Sequence, residues 1–369
     1  MQGTPERRTE TKKQPLPMIR PNPTSRTRRF YYFACMTIAA CIVSIVLASA
    51  FGPIRISIAD VLSTLMQHVR GTKPLDTTTS IVVWEIRFSR IILSLLIGSG
   101  LAVAGTVFQG ILRNPLADPF TIGVSSGAAF GASVAIFFGA SGTIPFLAHI
   151  GIIPLAALIG ALLALGAVIL LGSMGGHLRR DALVLAGVVV ATFLAALISL
   201  IKSLDEDSVA SIVFWIMGSL QGRSWQHVQL ILPWFIFGGA IIWRFSRELD
   251  ILSLGETQAQ QLGMNAGRVR LWLLVGASMI TGACVAVSGV IGFVGLVVPH
   301  LVRIVQGGEH RPLLVSSAVT GGLLLVWSDV LARTILPEGA ELPVGVVTAL
   351  LGGPFFCVLL HSNMKKGQR

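Results

Sequence analysis

Apolar runs of about 20 residues recur along this chain, and each is long enough to cross a hydrocarbon core of roughly 30 Å as a helix. A lipid-facing barrel would instead show short alternating segments, and none occur. The fold class that follows is an all-α polytopic membrane protein of about ten transmembrane helices. The runs lie at 30–47, 91–112, 119–140, 151–173, 182–201, 228–246, 271–289, 290–306, 313–332 and 342–361. Two further stretches are too short or too amphipathic to span. Ile54–Arg70 reads as a surface helix, and Val209–Leu220 as a surface or half-inserted one.

A net charge of +11 raises the question of nucleic acid. The basic residues sit mainly in a tail and in the connections between runs, which fits membrane topology better. Residues 1–29 are polar, basic and proline-bearing, as expected of a disordered cytoplasmic tail ahead of a membrane domain at 30–365. The Ala48-Ser49-Ala50 triplet resembles a signal-peptidase site, but the run before it is long for a cleaved signal, so an uncleaved first helix is expected. Ten crossings put both termini on one side. With the termini inside, 20 of the 28 Lys and Arg residues fall in the cytoplasm, and without the tail 12 still stand against eight.

Cys35, Cys41, Cys284 and Cys357 all lie in apolar runs without a CxxC, as small buried hydrophobes would. No GxxxxGK[ST] is present, so a nucleotide that drives this chain must be hydrolysed by a partner. No bound cofactor, metal or catalytic residue is expected.

Polar connections carry the remaining signal. Leu249–Arg270 is the longest polar interruption in the second half of the chain and is assigned to the cytoplasm. Its pattern predicts two short helices bent at Gly263, with Leu252, Leu254, Ala259 and Leu262 in apolar contact and Glu256, Gln258, Gln260 and Gln261 in water. The segment Arg113–Phe120 reads as a tight turn, stopped and restarted by Pro115 and Pro119 and capped by Asn114 and Asp118.

Small residues crowd the second and third runs, with Gly98, Gly100, Gly105, Gly123 and Gly127 prominent. Close helix packing accounts for most of them, and a translocation path lined by a few is the alternative. Ala102–Gly105 precedes Pro115 by the same interval as Ala286–Gly289 precedes Pro299, which hints at an inverted repeat. His300 reads as structural, and Asp329 as the local partner of Arg333 one turn on.

RFSR followed by GSGLAVAGTVFQGILRNPLADPFTIGVSSGAAFG resembles the second and third spans of the permease family of ferric-siderophore, haem and cobalamin ABC importers. SLGETQAQQLGM resembles that family's coupling loop, SGVIGFVGLVVPHLVRIVQGGEHR its eighth span, and SDVLAR with ELPVGVVTALLGGPFF its last two. The resemblance covers about residues 80–365, and the basic tail is outside it. It implies a multi-pass protein of the bacterial inner membrane, working as a homo- or heterodimer. Two cytoplasmic ATPases that use ATP and Mg, and an extracytoplasmic solute-binding protein, would complete the importer. It also implies coupling through Glu256, Ala259 and Gly263, and docking of the binding protein by Arg87, Arg90 and Arg333. An ion-coupled secondary transporter is the competing class, and would require carboxylates or polar helix breaks at midplane.

Overall fold

A computed structural model describes residues 37, 39–52, 56–71, 78–139, 151–174 and 178–367, with side chains to 357. The expected tail at 1–29 and the start of the first run lie outside these residues. Among the described residues all regular structure is helical.

The elements, in chain order, are α1 (Ala39–Ala50), α2 (Ile58–Val69), α3 (Thr78–Leu112), α4 (Val124–Phe137), α5 (Ile152–Ser173), α6 (Arg180–Leu204) and α7 (Asp207–Ile216). They continue as α8 (Trp225–Arg244), α9 (Ser246–Leu254), α10 (Glu256–Gln261), α11 (Ala266–Ser288), α12 (Val294–Gln306), α13 (His310–Thr334) and α14 (Val344–Gly367). Six of them, α3, α5, α6, α8, α11 and α13, are long and apolar enough to cross a membrane. The shorter apolar helices α1, α4, α12 and α14 fall in the remaining runs. The chain is thus a multi-span helical membrane protein.

Local chemistry explains the boundaries. α2 starts where Ser57 accepts the Asp60 amide at 3.2 Å. Its apolar Ile58, Leu62, Met66 and Val69 are exposed, as on a helix lying along the membrane surface. α3 ends at Arg113, which takes a left-handed conformation (φ 49°) while the Asn114 amide reaches back to Gln109 O at 3.2 Å. Asp118 then accepts the Phe120 amide and caps a 3₁₀ turn, Pro119–Ile122, with proline in its first turn. Gly123 (φ 81°) separates that turn from α4 and supplies the carbonyl for the Gly127 amide, so the third run is a short helix behind a turn.

α3 is the centre of the molecule, buried along most of its length, with α13 laid against it. A methyl built on Gly98 would lie 2.8 Å from the Gly321 carbonyl carbon, and Ser99 Oγ donates to Ala318 O at 2.7 Å. Two backbones in direct contact, tied by a hydroxyl, make a stiff pair. Elsewhere α4 meets α5, α11 meets α8, and α12 crosses α3.

Every glycine proposed for a path is packed within the chain. A methyl on Gly100 would sit 2.7 Å from Ile280 Cγ2, on Gly105 2.7 Å from Gly295 Cα, and on Gly127 3.0 Å from the Gly160 carbonyl carbon. Gly123 lies 3.3 Å by the same measure from Gly187 O. These five are contact points between helices, the packing role that small residues allow. The two segments of the sequence echo also differ: Gly105 is inside α3, whereas Gly289 (φ 70°) ends α11.

Candidate functional site: two ends of one helix pair

At one end of the α3–α13 pair, charge is turned inward. Wide π-helical turns at Val82–Phe88 lead into the regular part of α3 and bring Arg87 and Arg90 toward α1 and α13. Arg90 forms a forked pair with Asp329, Nε at 3.0 Å and the terminal nitrogen at 2.8 Å, and also bonds Glu341 at 3.1 Å. Asp329 is 1% exposed. The fork satisfies both carboxylate oxygens, the condition under which such a buried pair is tolerated.

Arg333 pairs with Asp329 one turn away, as expected, at 3.8 Å, and also donates to Ala48 O at 2.7 Å. Arg87 donates to Ser49 O at 2.7 Å and Ala50 O at 3.2 Å. Two guanidiniums therefore cap the last carbonyls of α1, where the helix dipole favours cations. The three arginines anticipated as an outward docking surface are 4–6% exposed and committed to internal partners. That placement corrects the outward orientation. The missed signal was Asp329, whose main partner is 239 positions away rather than one turn.

At the opposite end, α9 and α10 form a compact projection. Leu249 and Leu252 of α9 are buried, and a methyl on Gly110 of α3 would meet Leu249 Cδ1 at 2.8 Å. Asp250 accepts the His310 amide at 2.9 Å and lies 2.6 Å from His310 Nδ1, fastening α9 to the first residue of α13. Arg311 adds a bond to Ser246 Oγ at 3.0 Å.

The bend between the two helices is at Gly255 (φ 136°), not at Gly263 as the sequence pattern predicted. A side chain at Gly255 would strike Gln258. Gly263 (φ 79°) instead closes α10: its amide bonds Gln260 O at 2.9 Å and the Met264 amide bonds Ala259 O at 3.0 Å, a Schellman ending. Asn265 then caps α11 by accepting the Arg268 amide at 3.0 Å.

Glu256 accepts from the buried Arg270 at 3.2 Å, and Arg270 also donates to Leu178 O. Ala259 is fully buried beneath α10. Leu254 and Leu262, expected in apolar contact, are 61% and 66% exposed, beside exposed Thr257, Gln258, Gln260 and Gln261. The projection is rigid from below and presents a mixed apolar and amide surface above. The structure brings Glu256, Ala259 and Gly263 together there, and places Arg87, Arg90 and Arg333 together at the far end of the same helix pair.

Asp118, in the turn beside this projection, is 8% exposed, and burial pushes its carboxyl up to about 7, opposed by the bond from the Phe120 amide.

Comparison with known proteins converges on one group. The model of the FecCD transport family matches residues 40–362. An uncharacterized ABC transporter permease protein, YvrB of Bacillus subtilis, is 38% identical over 88% of this chain and 92% of its own length. The cobalamin import system permease protein BtuC of Halobacterium salinarum is 43% identical, covering 78% of this chain and 75% of that one. A solved structure assigned as a metal-chelate type ABC transporter, in an inward-facing conformation, superposes with a TM-score of 0.76 at 30% identity, over 90% of this chain and 99% of that one.

Proposed function

This chain belongs to the FecCD transport family, and from that membership we propose that it imports a ferric siderophore, or a haem or cobalamin of similar bulk, into the bacterial cytoplasm. It is the membrane permease subunit of an ABC importer, so the work is supplied from outside the chain. Two partner ATPases using ATP and Mg would press on the α9–α10 projection. An extracytoplasmic solute-binding protein would deliver cargo to the Arg90 end, and a second permease subunit, the same or a homologue, would complete the pore. In this arrangement both termini and α9–α10 are cytoplasmic, as the Lys and Arg distribution favours.

The observation that carries this reading is the fastening of the projection. Leu249 against Gly110 and Asp250 on His310 link it to α3 and α13 together. Those two helices are in backbone contact further along, at Gly98 and Gly321. A push on α9 is therefore delivered to the pair that ends at Arg90 and Asp329, which is how a packed, two-state element transmits closure. Leu254 and Leu262 supply the apolar contact and the glutamines the hydrogen bonds for a partner cleft.

Cargo is inferred from the company the chain keeps. Relatives are named for hemin (Yersinia pestis, 39% identical) and ferric dicitrate (Escherichia coli, 42% identical), both iron chelates, and one for molybdate (Haemophilus influenzae, 37% identical). The test is reconstitution. Purified chain with its ATPases and binding protein in liposomes should accumulate a ferric siderophore only when ATP is supplied. Accumulation by the chain alone under an ion gradient would overturn the proposal in favour of a secondary transporter.

A further inference from the structure

We propose that the unwound segment Gly289–Phe293 lines the aqueous path and offers backbone N–H groups to the oxygen-rich surface of the cargo, deepening the import reading above.

The break lies inside the apolar layer. Just before it, Cys284 Sγ lies 3.9 Å from Ile97 O. Just after it, a methyl on Gly295 would fall 2.9 Å from Leu101 O, and Gln109 Nε2 donates to Leu296 O at 3.1 Å. Ile97, Leu101 and Gln109 are interior residues of α3, so the chain passes through a central level of the membrane without helical hydrogen bonds. The N–H groups of Val290, Ile291, Gly292 and Phe293 find no acceptor among the described residues. Irregular backbone at that depth persists only where it is covered by protein or lines water.

One side of the segment is covered by protein. Ser219 N–H donates to Ser288 O at 2.8 Å, and Gly345 N–H to Gly218 O at 3.2 Å. A methyl on Gly345 would lie 2.8 Å from Val290 O, and Phe293 packs over Gly352. The other side is open, because a methyl built on Gly292 meets nothing within 4 Å. Hydrocarbon against that open side would leave the amides unsatisfied, whereas water or an acceptor-bearing chelate satisfies them.

The test uses the full chain with its four cysteines replaced by alanine, assembled with its ATPases in liposomes, and carrying Gly292→Cys. Leu185→Cys, on the exposed side of α6, serves as the lateral control. A cationic, membrane-impermeant methanethiosulfonate should label Gly292→Cys at least about tenfold faster than Leu185→Cys, since only a water-exposed thiol ionises readily. Val290→Cys is the second reporter should the glycine variant not assemble, with the same expectation. Labelling only by N-ethylmaleimide, or an intermolecular disulfide with no labelling, overturns the proposal. Rapid labelling in a complex that imports no ferric siderophore leaves the path standing and removes the cargo assignment instead.

Discussion

Around Asp329, three arginines are only 4–6% exposed and spend their donors on a carboxylate pair and on the end of α1. At the α9–α10 projection, Glu256 keeps 42% of its side chain open while its partner Arg270 is buried. The first arrangement closes on itself, and removing one member leaves the others buried without a full set of partners. The second is half a contact, with its anchor inside and its face outside. Ends of one stiff helix pair thus differ in kind: one is closed into the fold, the other keeps an exposed face.

The sharpest break in that contrast is Asp329→Asn, which leaves Arg333 without its anion and Arg90 with Glu341 alone. It should cost about 3–5 kcal/mol, read as a large fall in the detergent unfolding midpoint. Replacing Arg90 and Asp329 together by Met and Leu should recover most of it. Glu256→Gln, which keeps an acceptor for the buried Arg270, should do the reverse: a small change in unfolding, but loss of ATPase co-purification and at least about tenfold less transport, equivalent to about 1.4 kcal/mol of coupling. Wild-type co-purification in that variant would separate the projection from the ATPases.

Smaller effects sharpen the picture. Arg87→Gln should lower stability by about 1.5–3 kcal/mol, the worth of bonds from a charged donor, and salt should not relieve it. If these arginines worked as exposed docking charges, the defect would lie in binding and would vary with ionic strength. Gly263→Ala should cost about 1 kcal/mol through its left-handed conformation, with no steric penalty, because nothing lies within 4 Å of the added methyl.

The smallest effect is a slope. The folded chain binds the Asp118 proton more tightly than the unfolded one, since its carboxyl stands at about 7 against an ordinary 3.8. That contribution is full at low pH and is lost as pH rises through about 7. Asp118→Asn should flatten the decline in melting temperature between about pH 4 and 7, the interval in which only the folded chain holds the proton.

Much of the fold was legible because apolarity over 20 residues is dictated by the bilayer, whatever the packing. The position of the projection was legible for the complementary reason, as a long polar interruption. Its bend was not: Gly255 and Gly263 bracket the same short helix, and composition does not say which bends and which terminates. The glycines of α3 and α4 were visible as a class, but their partners Gly321, Gly295 and Gly160 are far along the chain. The burial of the arginines was hidden for a related reason. Topology marks Arg87, Arg90 and Arg333 as unusual on their side of the membrane, and an unusual charge is as readily explained by a distant internal anion as by an external partner.

The capping of α1 by Arg87 and Arg333 bears on how the protein is made. Helix α1 ends in carbonyls whose final partner is encoded 285 positions later. Until that arginine emerges, α1 is only half fastened. A ribosome that stalls before residue 333 should therefore leave a nascent chain in which α1 is loose and open to membrane quality control.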